Sequence, residues 1–209
     1  MKNNFAVDNR CAIDPDGWGL SAQKDEIIRI LKQQGFKIIG SPDIICTARA
    51  LVGKSKYARA ARPSEAPGQV DCSSLVKWVY GRWGIWLPRR TVQQREYGQQ
   101  ICFSDLSPGD LVFTKGLISY HLDDPRTGVG HVGIYTGNGT VIQAASKKTG
   151  ITETPLNIFM DIDNFRGVRR IISKDRQIIT VVVPADREIE TADDIKWIVV
   201  QSLPKKMKQ

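Results

Sequence analysis

The sequence predicts an α+β fold, because its hydrophobic period changes from helical in the first half to alternating in the second. Two helix starts are well marked early in the chain. Later, glycine-rich turns separate short β-branched runs. With 209 residues, there is material for one well-buried domain with modest additions.

Ser21 is the expected N-cap of a first helix carrying Ile27, Ile28, Ile30 and Leu31 and ending near Gly35. The apolar run Phe36 to Ile39 follows. Ser41 with Pro42 marks a second start, with Ile44, Ile45, Ala48, Leu51 and Val52 on one face and Gly53 closing it. Cys46 is expected to be a small buried hydrophobe of that helix. Residues 54 to 70 read as a long loop with Pro63, Pro67 and Gly68. Asp71 can cap a third helix presenting Leu75, Val76, Val79 and Trp83, and Thr91 a short fourth one ending at Gly98.

In the second half, Leu106-Ser107-Pro108-Gly109 turns into the strand Asp110 to Phe113. Strands are expected at Val129 to Tyr135, Thr140 to Ala144 and Phe165 to Ile172. From about Lys174 the tail reads as a βα unit. Its strand is Ile178 to Val183 and its helix, capped by Thr191, carries Ile195, Ile198, Val199 and Leu203. It is expected to cover a sheet edge or pack on the main domain; docking of a partner is the alternative. The resulting division is an N-terminal extension (1–40), a main domain (41–173) and a C-terminal extension (174–209).

Charge narrows the partners. The formal net charge is +8, and the excess is local: residues 46 to 70 hold Arg49, Lys54, Lys56, Arg59 and Arg62 against Glu65 alone. Such a stretch is either a solvated loop or an attractor for a polyanion. No zinc-finger or RRM signature accompanies it, so nucleic acid is not an expected partner. No apolar run reaches the roughly 18 residues of a membrane span, and the first residues show no signal peptide. Cys11, Cys46, Cys72 and Cys102 are widely spaced, and only His121 and His131 accompany them, so no metal site is expected.

One cysteine stands apart. If Asp71 caps its helix, Cys72 lies in the first turn, where free N–H groups and the positive end of the dipole favour a thiolate. The Asp71 charge opposes this unless capping or a substrate ammonium occupies it. A base is then required. His131, in Gly130-His131-Val132-Gly133-Ile134-Tyr135, shares a strand face with Gly133 and Tyr135. The competing base is His121, in the polar stretch 119–127. Gln143, polar in an apolar strand, is the candidate to orient the imidazole. A two-residue Asn138-Gly139 turn would put Gln143 on the face opposite His131. A three-residue Gly137-Asn138-Gly139 loop would pair 133 with 143 and bring it diagonal to His131.

At these residues the sequence resembles the NlpC/P60 family of cell-wall cysteine peptidases. Four segments carry the likeness, in order: Asp71-Cys72-Ser73-Ser74-Leu75-Val76; Leu87-Pro88-Arg89-Arg90-Thr91 with Gln94; Leu106-Ser107-Pro108-Gly109-Asp110-Leu111-Val112-Phe113; and Gly130 to Gly139. The resemblance implies a papain-like fold with helices packed on a central antiparallel sheet. It implies hydrolysis of peptidoglycan stem peptides, often between D-γ-glutamate and a diamino acid, and a place in the cell envelope. It makes Cys72 the nucleophile, His131 the base and Gln143 the third polar residue, with Tyr57, Asp71 and Ser73 gripping the amino-terminal end of the substrate. It calls for no cofactor. Two departures stand out. Ser74 replaces the usual glycine, and the loop before Cys72 lacks the common Trp-Gly-Gly.

Overall fold

A computed structural model describes residues 9–117, 128–161 and 163–204. In chain order the first elements are β1 (Arg10–Ile13), α1 (Lys24–Gln33), β2 (Lys37–Gly40) and α2 (Ile44–Arg49). Next come the short strands β3 (Lys56–Tyr57) and β4 (Gln69–Val70), then helices α3 (Cys72–Gly81) and α4 (Thr91–Gln94). Six strands follow: β5 (Gln99–Ile101), β6 (Leu111–Thr114), β7 (His131–Tyr135), β8 (Thr140–Ser146), β9 (Gly150–Pro155) and β10 (Phe165–Arg170). β11 (Ile179–Val182) and α5 (Ala192–Ser202) complete the order. Among the described residues no helix is long and apolar enough to cross a membrane.

The chain divides into two compact units, one of Met1–Asp43, Gly81–Trp86 and Lys174–Gln209, the other of Ile44–Tyr80 and Leu87–Ser173. In the first unit the two chain ends meet. Strand order is β1-β11-β2, all antiparallel, so the tail supplies the central strand. Ile27, Ile30 and Leu31, spaced i, i+3, i+4 on α1, pack with Ile13, Val181, Ile195 and Val199 in one core. Gln23 rather than Ser21 occupies the N-cap of α1.

The second unit is built on a six-stranded antiparallel sheet in the order β5-β10-β6-β7-β8-β9. Leu111, Val112, Phe113, Val132, Ile134, Val141 and Ile142 are fully buried within it. In α3 the buried side chains are Leu75, Val76, Val79 and Tyr80. The expected Trp83 is not among them, because the helix ends at Gly81 and Trp83 belongs to the first unit. Cys46 also departs from expectation: it is exposed. Ile44 and Ala48, four apart, take the inner face of α2, and Cys46, about 200° round from Ile44, faces away. The loop at 54–70 contains a parallel pair, Tyr57 opposite Val70, and Lys54, Lys56, Arg59 and Arg62 stand in solvent.

The turn at Pro108-Gly109-Asp110 is held by an ion pair. Arg170 Nε and Nη2 donate to the two Asp110 oxygens at 2.9 and 2.7 Å, and Asp110 is only 2% exposed. The Ser107 N–H donates to the same carboxylate (2.7 Å), and the Tyr80 hydroxyl donates to the Gly109 carbonyl. The third segment that carries the family resemblance, Leu106 to Phe113, is thus a structural tie between α3, β6 and β10. Asp110→Ala would leave a buried guanidinium without its partner, and an expected loss of about 3–5 kcal/mol follows. Guanidinium unfolding checks it; a midpoint unchanged from wild type would contradict the tie.

Candidate active site

The site begins at the N-terminus of α3. Asp71 is its N-cap: Oδ1 accepts the Ser74 N–H at 2.8 Å, and the Asp71 N–H donates to Ser74 Oγ at 2.8 Å. These reciprocal bonds form a capping box with serine at the third position. Ser74, where a glycine was expected from the resemblance, thus has a structural use. Cys72 is the first helical residue, as the sequence required. Asp71 is further engaged by Arg89, whose Nη1 and Nη2 donate to its two oxygens. Arg89 also donates to Ser73 Oγ at 2.8 Å and to the Ala61 carbonyl at 2.6 Å. The carboxylate beside the thiol is therefore both capped and ion-paired. That weakens the electrostatic objection to a thiolate at Cys72, although the Asp71 charge still acts against it.

The β7–β8 hairpin settles the placement of Gln143. The Thr136 N–H bonds the Thr140 carbonyl (3.0 Å), and Tyr135 pairs with Val141 and Ile134 with Ile142. The loop is thus Gly137-Asn138-Gly139, three residues long, with φ of 93° and 72° at its glycines. Odd loop length puts Gln143 on the His131 face, diagonal to it. Its Oε1 lies 2.6 Å from His131 Nε2. Its Nε2 donates to Thr154 Oγ1 at 2.8 Å.

With Nε2 facing an amide oxygen, the ring nitrogen left for Cys72 is Nδ1. The thiol and imidazole lie close enough that each shifts the titration of the other. Burial pushes the Cys72 thiol up, but the hydrogen bond and charge of His131 overcome it and hold the thiol below its ordinary value. Asp71 opposes that drop and Thr91 assists it. For His131 burial pulls the ring down, while the hydrogen bond and charge of Cys72, then the bond to Gln143, hold it above its ordinary value. Opposite displacements of two neighbouring groups favour a thiolate–imidazolium pair, the arrangement that suits attack on a carbonyl carbon and protonation of a leaving amine.

Other groups converge here. Thr91 Oγ1 is 3.8 Å from Cys72 Sγ, and the Gly130 carbonyl is 4.0 Å away. Gln94, with no exposed surface, donates to the Ser73 and Pro88 carbonyls, both at 2.9 Å, bracing the first turn of α3. Tyr57 is brought to Asp71 and Cys72 by its pairing in β3; burial, then the charges of Cys72 and Asp71, raise its phenol. Thus Cys72, His131, Gln143, Tyr57, Asp71 and Ser73 are gathered in one place. His121 lies outside the described residues. Sequence reasoning had noted Arg89 and Gln94 only as motif letters, and Thr91 as a cap. It had not singled out Thr154 or Phe159 at all.

Phe159 packs against the His131 face of β7. The space beside Gly133 is not open for another chain: an added Cβ would lie 2.3 Å from Val141 Cγ1 and 3.1 Å from Phe159 Cζ. The Phe159 ring packs against His131 with centroids 5.8 Å apart. Gly133→Ala is expected to cost about 1–3 kcal/mol through overpacking and to lower turnover by displacing the ring that backs the imidazole. Thermal unfolding and turnover measured side by side test this; an alanine variant matching wild type in both would contradict it.

Residues 54–170 match the model of the NlpC/P60 family. A probable endopeptidase of Corynebacterium glutamicum is 35% identical over 114 residues, 54% of this chain and 47% of that protein. A gamma-DL-glutamyl hydrolase of Bacillus subtilis is 31% identical over 142 residues, 66% of this chain and 32% of its own length. The chain thus spans less than half of these curated relatives. A solved NlpC/P60 family protein from Bacillus cereus superposes with a TM-score of 0.55 at 28% identity, over 65% of this chain and 42% of that one. The likeness supports the papain-like α+β fold.

Proposed function

The chain belongs to the NlpC/P60 family, whose model matches residues 54–170 of its 209, and from that premise we propose that it is a cysteine endopeptidase of peptidoglycan stem peptides. The observation that carries the reading is the order Cys72, His131, Gln143, with Gln143 holding Nε2 so that Nδ1 serves the thiol.

The Cys72 thiolate attacks the amide carbonyl carbon. The oxyanion that forms is stabilised by N–H groups of the first turn of α3, which have no acceptor within the helix. His131 gives its proton to the amine as the C–N bond breaks, leaving a thioester on Cys72. Water then attacks the thioester. His131 takes a proton from it, and the carboxylate product leaves with the thiol restored to its paired state. These steps use side chains and water alone.

The bond proposed is that between D-γ-glutamate and the following diamino acid. The activity named for the Bacillus subtilis relative, a gamma-DL-glutamyl hydrolase, supports that class. Tyr57, Asp71 and Ser73, which lie beside Cys72, are the proposed grip on the amino-terminal end of the stem peptide, as the family resemblance implies.

Incubation of purified peptidoglycan with wild type and with Cys72→Ala, followed by separation of the released muropeptides, tests the proposal. New γ-D-glutamyl ends with wild type alone are the expected result. An intact wall, together with labelling of Cys72 by a general amide or ester probe, would move the substrate elsewhere. Binding without cleavage by both proteins would make the chain a wall-binding module.

A further inference from the structure

We propose that Thr154 is a positioning residue, whose hydroxyl holds the Gln143 amide with its oxygen turned toward His131. This rests on the catalytic reading above, and it assigns a fourth member to the chain of contacts that ends at Cys72.

The argument starts from the two ends of an amide. Oxygen only accepts hydrogen bonds and NH2 only donates them. An imidazolium has two N–H donors and no acceptor. If the Gln143 amide were turned through 180°, its NH2 would face His131 Nε2, and a protonated ring would meet a donor. Only the observed orientation, Oε1 at 2.6 Å from Nε2, tolerates a charged His131. Histidine or aspartate in this place would carry its own directionality; glutamine does not. Something must choose its orientation.

The imidazolium N–H selects the amide oxygen, and Thr154, whose hydroxyl can accept from the NH2 that this leaves on the far side, secures the amide in that orientation. β8 and β9 pair antiparallel with Gln143 opposite Thr152, so Thr154 is diagonal to Gln143 on the same face. Its Oγ1 accepts from Gln143 Nε2 at 2.8 Å. Gln143 is only 8% exposed, so water offers little substitute for that acceptor. Donation from the NH2 also polarises the amide, making its oxygen the better acceptor for the imidazolium. The run from Thr154 through Gln143 to His131 is thus a single line of oriented bonds that ends beside Cys72.

Two variants isolate the hydroxyl. Thr154→Val keeps the shape and removes the acceptor; Thr154→Ser keeps the acceptor and removes a methyl. Asp71 with its Arg89 partner, Thr91 and the Tyr57 phenol also surround Cys72, and every variant keeps them. The substrate-free readout is the pH dependence of iodoacetamide labelling, followed at the Cys72 peptide by mass spectrometry because Cys11, Cys46 and Cys102 are also thiols outside any disulfide. Thr154→Val should raise the midpoint of thiolate formation and slow labelling at neutral pH about tenfold, while Thr154→Ser follows wild type. On peptidoglycan, kcat should fall by a similar factor with KM unchanged. Labelling of the valine variant that overlays wild type, or a serine variant as impaired as valine, would overturn the inference. Labelling needs no substrate, so it decides the role of Thr154 even if no variant cleaves the wall. A wild-type thiol that titrates like a free cysteine would remove the ion pair and overturn the inference with it.

Discussion

His131→Ala is expected to lower kcat/KM by on the order of 10⁴-fold. The ring contributes in two ways: it holds Cys72 as thiolate, and it supplies the proton the leaving amine needs. Without it, burial and the Asp71 charge push the thiol up against the Thr91 hydrogen bond alone, so Cys72 should also label slowly with iodoacetamide at neutral pH. His121→Ala serves as the control, with near wild-type rates expected. A reversal, with His121→Ala inactive and His131→Ala within tenfold of wild type, would transfer the role of base to His121. The same pair sets the pH profile. Cys72 lies below its ordinary value and His131 above its own, so the reactive pair forms as pH rises through the lowered thiol value. It is lost as pH rises further through the raised imidazole value. Activity should be bell-shaped, falling on the acid side as the thiolate is protonated, and both limbs belong to the pair rather than to either residue. A flat profile through mildly acidic pH would count against His131.

Loss of Arg89 is the second large effect. Arg89 binds both oxygens of Asp71, the Ser73 hydroxyl and the Ala61 carbonyl, and Asp71 is 7% exposed. Arg89→Ala should cost about 2–4 kcal/mol, toward the low end for a broken buried pair because the Arg89 side chain is 30% exposed. It should also leave an uncompensated carboxylate next to Cys72 and raise the midpoint of thiolate formation. The double variant Asp71→Asn/Arg89→Met removes both charges together. Its thiol should titrate closer to wild type than that of Arg89→Ala. If the double variant labels no faster than the single one, Arg89 acts through packing rather than charge compensation.

What the sequence made legible follows from how local each signal was. The Cys72 position rests on Asp71 as cap, a contact three residues long, and it was readable. The Gln143 position depended on a parity that a glycine-rich loop could settle in two ways, and the three-residue loop chose one. By contrast, Arg89 reaches Asp71 across 18 positions and Thr154 reaches Gln143 across a strand pair. No periodicity announces such contacts. Strands β1, β5 and β9 escaped because short polar stretches such as Gly150–Pro155 lack an alternating pattern; they are set by their neighbours in the sheet. Cys46 and Trp83 were misplaced for a related reason. Trp83 continues an apolar stripe on paper, but α3 stops at Gly81, and Cys46 lies within α2 on the face away from Ile44 and Ala48.

The central claim is a charge on one ring. With two histidines in the chain, ¹⁵N NMR of histidine-labelled protein, assigned with His121→Ala, reads the His131 protonation state directly. In wild type His131 should remain imidazolium well above the ordinary histidine range. In Cys72→Ala its partner is gone and burial pulls the ring down, so it should be neutral by mildly acidic pH. A His131 that titrates at the same pH with and without the Cys72 sulfur would contradict the account.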